Sequence, residues 1–276
     1  MEITLNELKV IAGDKNFNIK LIEKDYLLTQ LLYLLQDIAG IYFKGGTALN
    51  KIFLDHARLS EDLDFTTTKK VSDIEDQIRA KLKGTKFGKI THDKRVDKFT
   101  RLIVYYKLFH EDGTIFIDLN QRAKLNQKPE KHKANHFYPD FIPEFSVNTL
   151  SKEEMIAEKV SAAISRNAPR DHFDVYTIIS HKIPINQKLV EQKCKQSGHE
   201  FNIIKMFKNA NKLKNRWDED VTQLLPTETS FIQVMQTLAK HFKYKEKKKA
   251  AKKTGAKVMY SFTIVLQTIL FFSFTI

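Results

Sequence analysis

One arrangement restricts this chain more than any other. A hydrophobic run, Ile41-Tyr42-Phe43, stops at Lys44-Gly45-Gly46-Thr47, and Asp62-Leu63-Asp64-Phe65 follows within twenty residues. The first part reads as a buried strand that breaks at two glycines and opens a helix. The second reads as a short strand. On a strand, side chains two apart share a face, roughly 7 Å apart along it. Asp62 and Asp64 are therefore expected to aim together, with Leu63 and Phe65 turned to the core. Two carboxylates held that close repel unless a cation lies between them. Gly45 and Gly46 permit close backbone approach to a ligand. The helix start near Thr47 offers free N–H groups and a positive dipole end, which favour phosphate. Oxygen ligands beside a phosphate-binding turn suit Mg²⁺.

Further along, Ser151-Lys152-Glu153-Glu154 has the form of a capping box. The helix it opens carries Met155, Lys159, Ala162 and Arg166 on one face by three-or-four spacing. Pro169 breaks that helix and can begin another. The next one starts with Arg170-Asp171-His172-Phe173-Asp174.

Gly-Gly-Thr followed by Ser-Glu-Asp-Leu-Asp-Phe resembles the nucleotidyltransferases of the polymerase-beta superfamily. Glu158-Lys159, Arg166, Arg170-Asp171 and Asp174 resemble a second signature, that of its AbiEii-type toxin branch, found in toxin–antitoxin and abortive-infection systems. Glu23-Lys24-Asp25-Tyr26-Leu27-Leu28-Thr29 resembles that branch's opening helix, although a solvated face explains Lys24 and Asp25 equally well. The matching stretches span most of residues 19–242.

The resemblance implies an α+β fold: a nucleotidyltransferase core with a small mixed sheet and helices, then a helical C-terminal region. It implies NMP transfer from an NTP to an acceptor hydroxyl of RNA, at a tRNA 3′ end, by a toxin restrained by a cognate antitoxin. Asp62 and Asp64 would hold Mg²⁺, with Asp118 as a third carboxylate on a neighbouring strand, in the two-metal arrangement for in-line displacement. Lys44, Gly45, Gly46 and Thr47 would cradle phosphates. Lys159, Arg166 and Arg170 would neutralise them, and Asp171 joins Lys159 as a catalytic candidate. A structural alternative pairs Arg170 with Asp174 at i,i+4. Two rival functions share the motif: an aminoglycoside-type transferase acting on a small molecule, and a non-catalytic nucleotide-binding protein.

The remaining sequence supplies boundaries. Residues 19–39 form a helix with a wide apolar face. Ser72 and Glu75 read as a capping box for a helix to about Lys83, ended by Gly84. Arg101–Phe109 is a strand by composition, Glu111-Asp112-Gly113 a hairpin turn, and Thr114–Leu119 the return strand. Residues 121–148 read as a long connection; His132 and His136, without cysteine nearby, belong to solvated loop rather than a zinc site. Residues 185–242 are amphipathic and helical, with Trp217 and Ser230–Met235 as packing residues. The expected division is a core over 1–126, a connection over 127–150, a helical region over 151–242 and a tail over 243–276.

The single cysteine, Cys194, excludes an internal disulfide and fits a reducing compartment. With no signal-peptide pattern at the N-terminus, a cytoplasmic location is expected. The net charge of +13 points to an anionic partner. Eight lysines and one glutamate between Lys243 and Lys257 contribute +7, which leaves a mild basic bias elsewhere. Val258–Ile276 is uncharged. Its length is borderline for a membrane span, its polar residues dilute it, and anchoring is not favoured; the tail is expected to be dispensable for catalysis.

Overall fold

A computed structural model of the chain describes residues 2–109, 112–166 and 168–250. The elements run α1 (Leu5–Lys15), α2 (Ile19–Leu35), β1 (Ile41–Lys44), α3 (Gly45–Ile52), β2 (Asp62–Thr67), α4 (Val71–Leu82), β3 (Ile90–Val96), β4 (Phe99–Lys107), β5 (Asp112–Asn120), β6 (Glu130–Lys133), β7 (Ser146–Thr149), α5 (Lys152–Ser165), α6 (Pro169–Ser180), α7 (Gln187–Gln196), α8 (Ala210–Asn215), α9 (Trp217–Asp220) and α10 (Phe231–His241). The fold is α+β, and after β7 every regular element among the described residues is helical.

The strands form one mixed sheet in the order β3-β4-β5-β2-β1-β7-β6. β2 is antiparallel to β1 and parallel to β5, so the chain must leave the sheet and return between them. Alternation gives the sheet one dry face. Leu63, Leu102, Val104, Ile115, Ile117 and Leu119 are fully buried on it. α4 covers this side: Glu75 meets His92 of β3 at 2.8 Å, and Arg79 donates to the Ile90 carbonyl at 3.0 Å.

α2 is capped by Asn18, whose side chain accepts from Lys20 N–H at 2.9 Å, and it ends at Leu35, short of the expected Ala39. Its Asp25 is buried rather than solvated. It takes the Lys51 ammonium at 2.8 Å and the Tyr138 hydroxyl at 3.1 Å. Lys51 also donates to the Thr29 hydroxyl at 2.9 Å, so this buried charge pair is held by further polar groups.

Four local expectations are corrected. α4 begins at Val71, because this residue packs into the core, so Ser72 lies inside the helix and does not cap it. The Ser72 hydroxyl bonds Asp73, and Glu75 is committed to Arg79 and His92. Asp112 and Gly113 are strand residues of β5 rather than turn: Gly113 lies opposite Tyr106, and a Cβ there would lie 2.3 Å from the tyrosine ring. Residues 121–148 are no bare connection. They supply β6 and the start of β7, and they bury Ala134, Tyr138, Ile142 and Phe145. At α5 only half of the capping box forms. Ser151 accepts from Glu154 N–H at 3.2 Å, but the Glu154 carboxylate turns to the N–H groups of Asn126 and Gln127 and to Lys193.

The helical region has its own apolar cluster. Trp217 is buried against Phe173 and Phe231, as expected for a packing residue, and its indole donates to the Thr229 carbonyl at 3.0 Å. Among the described residues no helix is long and apolar enough to cross a membrane. The tail Val258–Ile276 lies outside the described residues.

Candidate active site

β2 begins at the mouth of a cleft between the sheet and α6. The cleft encloses about 500 Å³, and Asp62, Asp64, Asp118, Lys159, Arg170 and Asp171 line it. Asp62 and Asp64 share its face of β2, while Leu63 and Phe65 fill the core, as the two-residue period requires. Burial pushes the Asp64 carboxyl up to about 6; Lys44 opposes that rise, and the charges of Asp118 and Asp62 add to it. Burial also raises Asp62, against the pull of Lys24. Neither carboxylate has an ion-pair partner among the described residues.

Asp118 lies on the strand next to β2. Parallel pairing sets it beside Asp64 in register. Its two oxygens, however, receive Nε and Nη2 of Arg101, both at 2.7 Å. These hydrogen bonds, and then the Asp118 charge, raise the Arg101 pKa against the effect of burial. Among the described residues no three His, Cys, Asp or Glu side chains are grouped to hold a metal ion. The donor set that fits a divalent cation is therefore Asp62 with Asp64: two unpaired, partly desolvated carboxylates on one face. Mg²⁺ is commonly held by one or two carboxylates plus substrate phosphates.

The glycine turn is shaped by what it touches. Gly45 has φ of +80°, and a Cβ on it would stand 2.2 Å from Asp64 Oδ2. A Cβ on Gly46 would stand 2.4 Å from Arg58 Nη2. The two glycines thus admit a carboxylate and a guanidinium against the start of α3. Thr47 donates its hydroxyl to the Asp62 carbonyl at 2.6 Å and ties the helix start to the acidic strand.

Lys159 reaches Asp171 at 2.7 Å and Asp174 at 3.0 Å. Burial disfavours its charge, but the two carboxylates outweigh that and raise its pKa. Arg58 grips Asp174 through Nε and Nη2, and also donates to the Leu59 carbonyl and the Ser60 hydroxyl. At the rim, Glu61 takes Arg170 at 2.9 Å and Lys24 at 3.3 Å. Lys44 pairs with Glu158 at 3.2 Å. The Arg166 side chain is exposed, at the junction with a second polar cavity of about 510 Å³.

The Arg170–Asp174 pair of the structural alternative does not form. Asp174 is fully buried and taken by Arg58 and Lys159, whereas Arg170 turns outward to Glu61 and to the Asp220 carbonyl. Asp171 is held on one oxygen only. Its Oδ2 is buried and has no hydrogen-bond partner among the described residues. All the anticipated site residues surround this cleft or its rim. Arg58, Arg101 and Glu61 were missed as contributors. Arg58 and Glu61 stand inside the motif itself, and Arg101 is placed by the hairpin register opposite Asp118.

A family profile described as the nucleotidyl transferase AbiEii toxin, type IV TA system, matches residues 26–245. Comparison with curated proteins gives no match. Among solved structures, the chain is similar to MenT4, nucleotidyltransferase toxin Rv2826c from Mycobacterium tuberculosis H37Rv, with a TM-score of 0.57 and 20% identity over 75% of this chain and 71% of that one. It is likewise similar to JHP933 from Helicobacter pylori, with a TM-score of 0.57 and 20% identity over 87% of this chain and 98% of that one.

Proposed function

Because the chain belongs to the AbiEii nucleotidyltransferase toxin family of type IV toxin–antitoxin systems, we propose that it transfers NMP from an Mg²⁺-bound NTP to a hydroxyl of RNA, at a tRNA 3′ end. The observation that carries this reading is the presence of two unpaired carboxylates, Asp62 and Asp64, facing Lys159 and Asp171 across one cleft.

Asp62 and Asp64 would hold Mg²⁺; Asp118, whose two oxygens are taken by Arg101, would be a third ligand only without that pairing. The bound ion would supply charge neutralisation at the reacting phosphate. Gly45, Gly46 and the start of α3 bring backbone N–H groups toward the triphosphate, and Lys44, Arg166 and Arg170 add positive charge around it. Lys159 lies deeper than Lys44 and Arg170 and compensates charge that builds on the phosphates. The acceptor oxygen attacks the α-phosphorus, the bond to pyrophosphate breaks, and the hydroxyl proton passes to the carboxylate of Asp171, which lines the cleft. The enzyme acts in the cytoplasm and is restrained by a cognate antitoxin.

The test is incubation with each labelled NTP, Mg²⁺ and total RNA. Label in tRNA supports the proposal. Label on a small molecule, or no transfer beside an active control, overturns it. Expression in a bacterial host should arrest growth, and Asp64→Asn should relieve the arrest.

A further inference from the structure

The open face of β3, β4 and β5 departs from the usual alternation of a half-covered sheet. On such a sheet the outward positions are ordinarily polar. Here β4 turns Phe99, Arg101, Ile103 and Tyr105 outward, and β5 turns out Thr114, Phe116 and Asp118. All are half-buried, while the intervening Leu102, Val104, Ile115 and Ile117 are wholly buried on the other side. Val96 of the edge strand β3 extends the patch and is 42% exposed. α3, on the site side, packs on β1 and β2 instead. The patch is continuous with the acidic site: Phe116 is two residues before Asp118 on the same face.

Two rings on this face have a cation beside them. Lys89 Nζ stands 4.5 Å from the Tyr105 ring centre, and the Arg101 guanidinium stands 5.3 Å from that of Phe116. Lys94 is paired with Arg101 across β3 and β4. Rings flanked by cations on an open sheet suit unpaired nucleobases, which stack on aromatic side chains while their phosphates meet the positive charge. A protein partner would gain less from cations spaced among the rings.

We propose that the outward face of β4 and β5, centred on Ile103, Tyr105 and Phe116, is the platform on which the single-stranded end of a nucleic-acid acceptor stacks as it enters the site. This rests on the transferase reading and names the surface that delivers its acceptor. About two or three nucleotides would fit between Tyr105 and the carboxylates, as on other sheet platforms.

The test is fluorescence anisotropy with a labelled single-stranded RNA dodecamer, without NTP or Mg²⁺, so that binding is read apart from catalysis. Tyr105→Ala and Phe116→Leu should each weaken binding about tenfold, and Tyr105→Phe should retain it. Thermal melting verifies that each variant is folded, and Phe116→Leu keeps the site apolar while removing the ring. In turnover assays the same variants should raise KM for RNA and leave KM for NTP unchanged. Undiminished RNA binding by folded Tyr105→Ala and Phe116→Leu overturns the inference, even where the same variants lose a protein complex. RNA binding that depends on these rings without nucleotide transfer to RNA would overturn the transferase reading and leave the platform standing.

Discussion

Arg58 and Asp174, 116 residues apart in the chain, meet through two nitrogen–oxygen bonds of 2.7 and 2.8 Å. Neither side chain is more than 3% exposed. The pair joins the loop before the acidic strand to the helix that carries Asp171, and so fixes the width of the cleft. Removing one partner leaves a buried charge uncompensated, so Arg58→Ala should cost about 3–5 kcal/mol. Arg58→Lys keeps the charge but loses the fork, and should also reduce turnover. Chemical denaturation of Arg58→Met, Asp174→Asn and the double variant should show a coupling of about 1.5 kcal/mol or more. Additive losses would contradict the pairing.

Replacing Asp62 or Asp64 by Asn should reduce transfer by about a thousandfold or more, since several kcal/mol of phosphate-charge compensation is lost. In EDTA the melting temperature should not fall, because a buried amide is less costly than an unpaired buried carboxylate. Near-normal turnover that still requires the metal would dismiss the assignment.

Gly45→Ala should lose most activity although it removes no reacting group. The added methyl would collide with Asp64 Oδ2, and the positive φ adds strain of about 1 kcal/mol. Calcium or manganese titration by calorimetry should show weakened divalent binding in a chain that remains folded. Affinity equal to the parent's would mean that Asp64 is free to move aside.

Burial lowers His56 from the ordinary 6.5 to about 4, with Lys51 acting in the same direction. Between these values the unfolded chain binds the proton and the folded chain does not. The contribution of neutral His56 is therefore complete above pH 6.5 and lost as the pH falls to 4, on the order of 3 kcal/mol. Melting curves from about pH 7 to pH 4 should show this decline. His56→Asn, which tolerates the left-handed φ of 52°, should flatten it. His136 is lowered for the same reason, burial, and should leave a residual slope.

Short-range patterns carried the reading of this site. The two-residue period placed Asp62 and Asp64 together, and Pro169 marked the start of α6. The partners that hold those groups were hidden because they depend on distant pairings. Nothing local says that Arg58 will choose Asp174 over solvent, or that Arg170 will reach Glu61. A turn placed at Glu111-Asp112-Gly113 shifts the hairpin register, and with it the identity of the residue opposite Asp118. β3 escaped notice because its residues are almost all exposed and polar. β6 and β7 escaped because strands of four residues give too little alternation to read.

The late position of Asp174 also gives the molecule an order of assembly during translation. The ribosome delivers Arg58 and the strand of carboxylates first, and their counter-charges on α5 and α6 only after the whole sheet has been made. Until then Arg58 lacks the anion that makes its burial tolerable. A message broken before α6 yields a fragment with Asp62 and Asp64 but without the helix that closes over them.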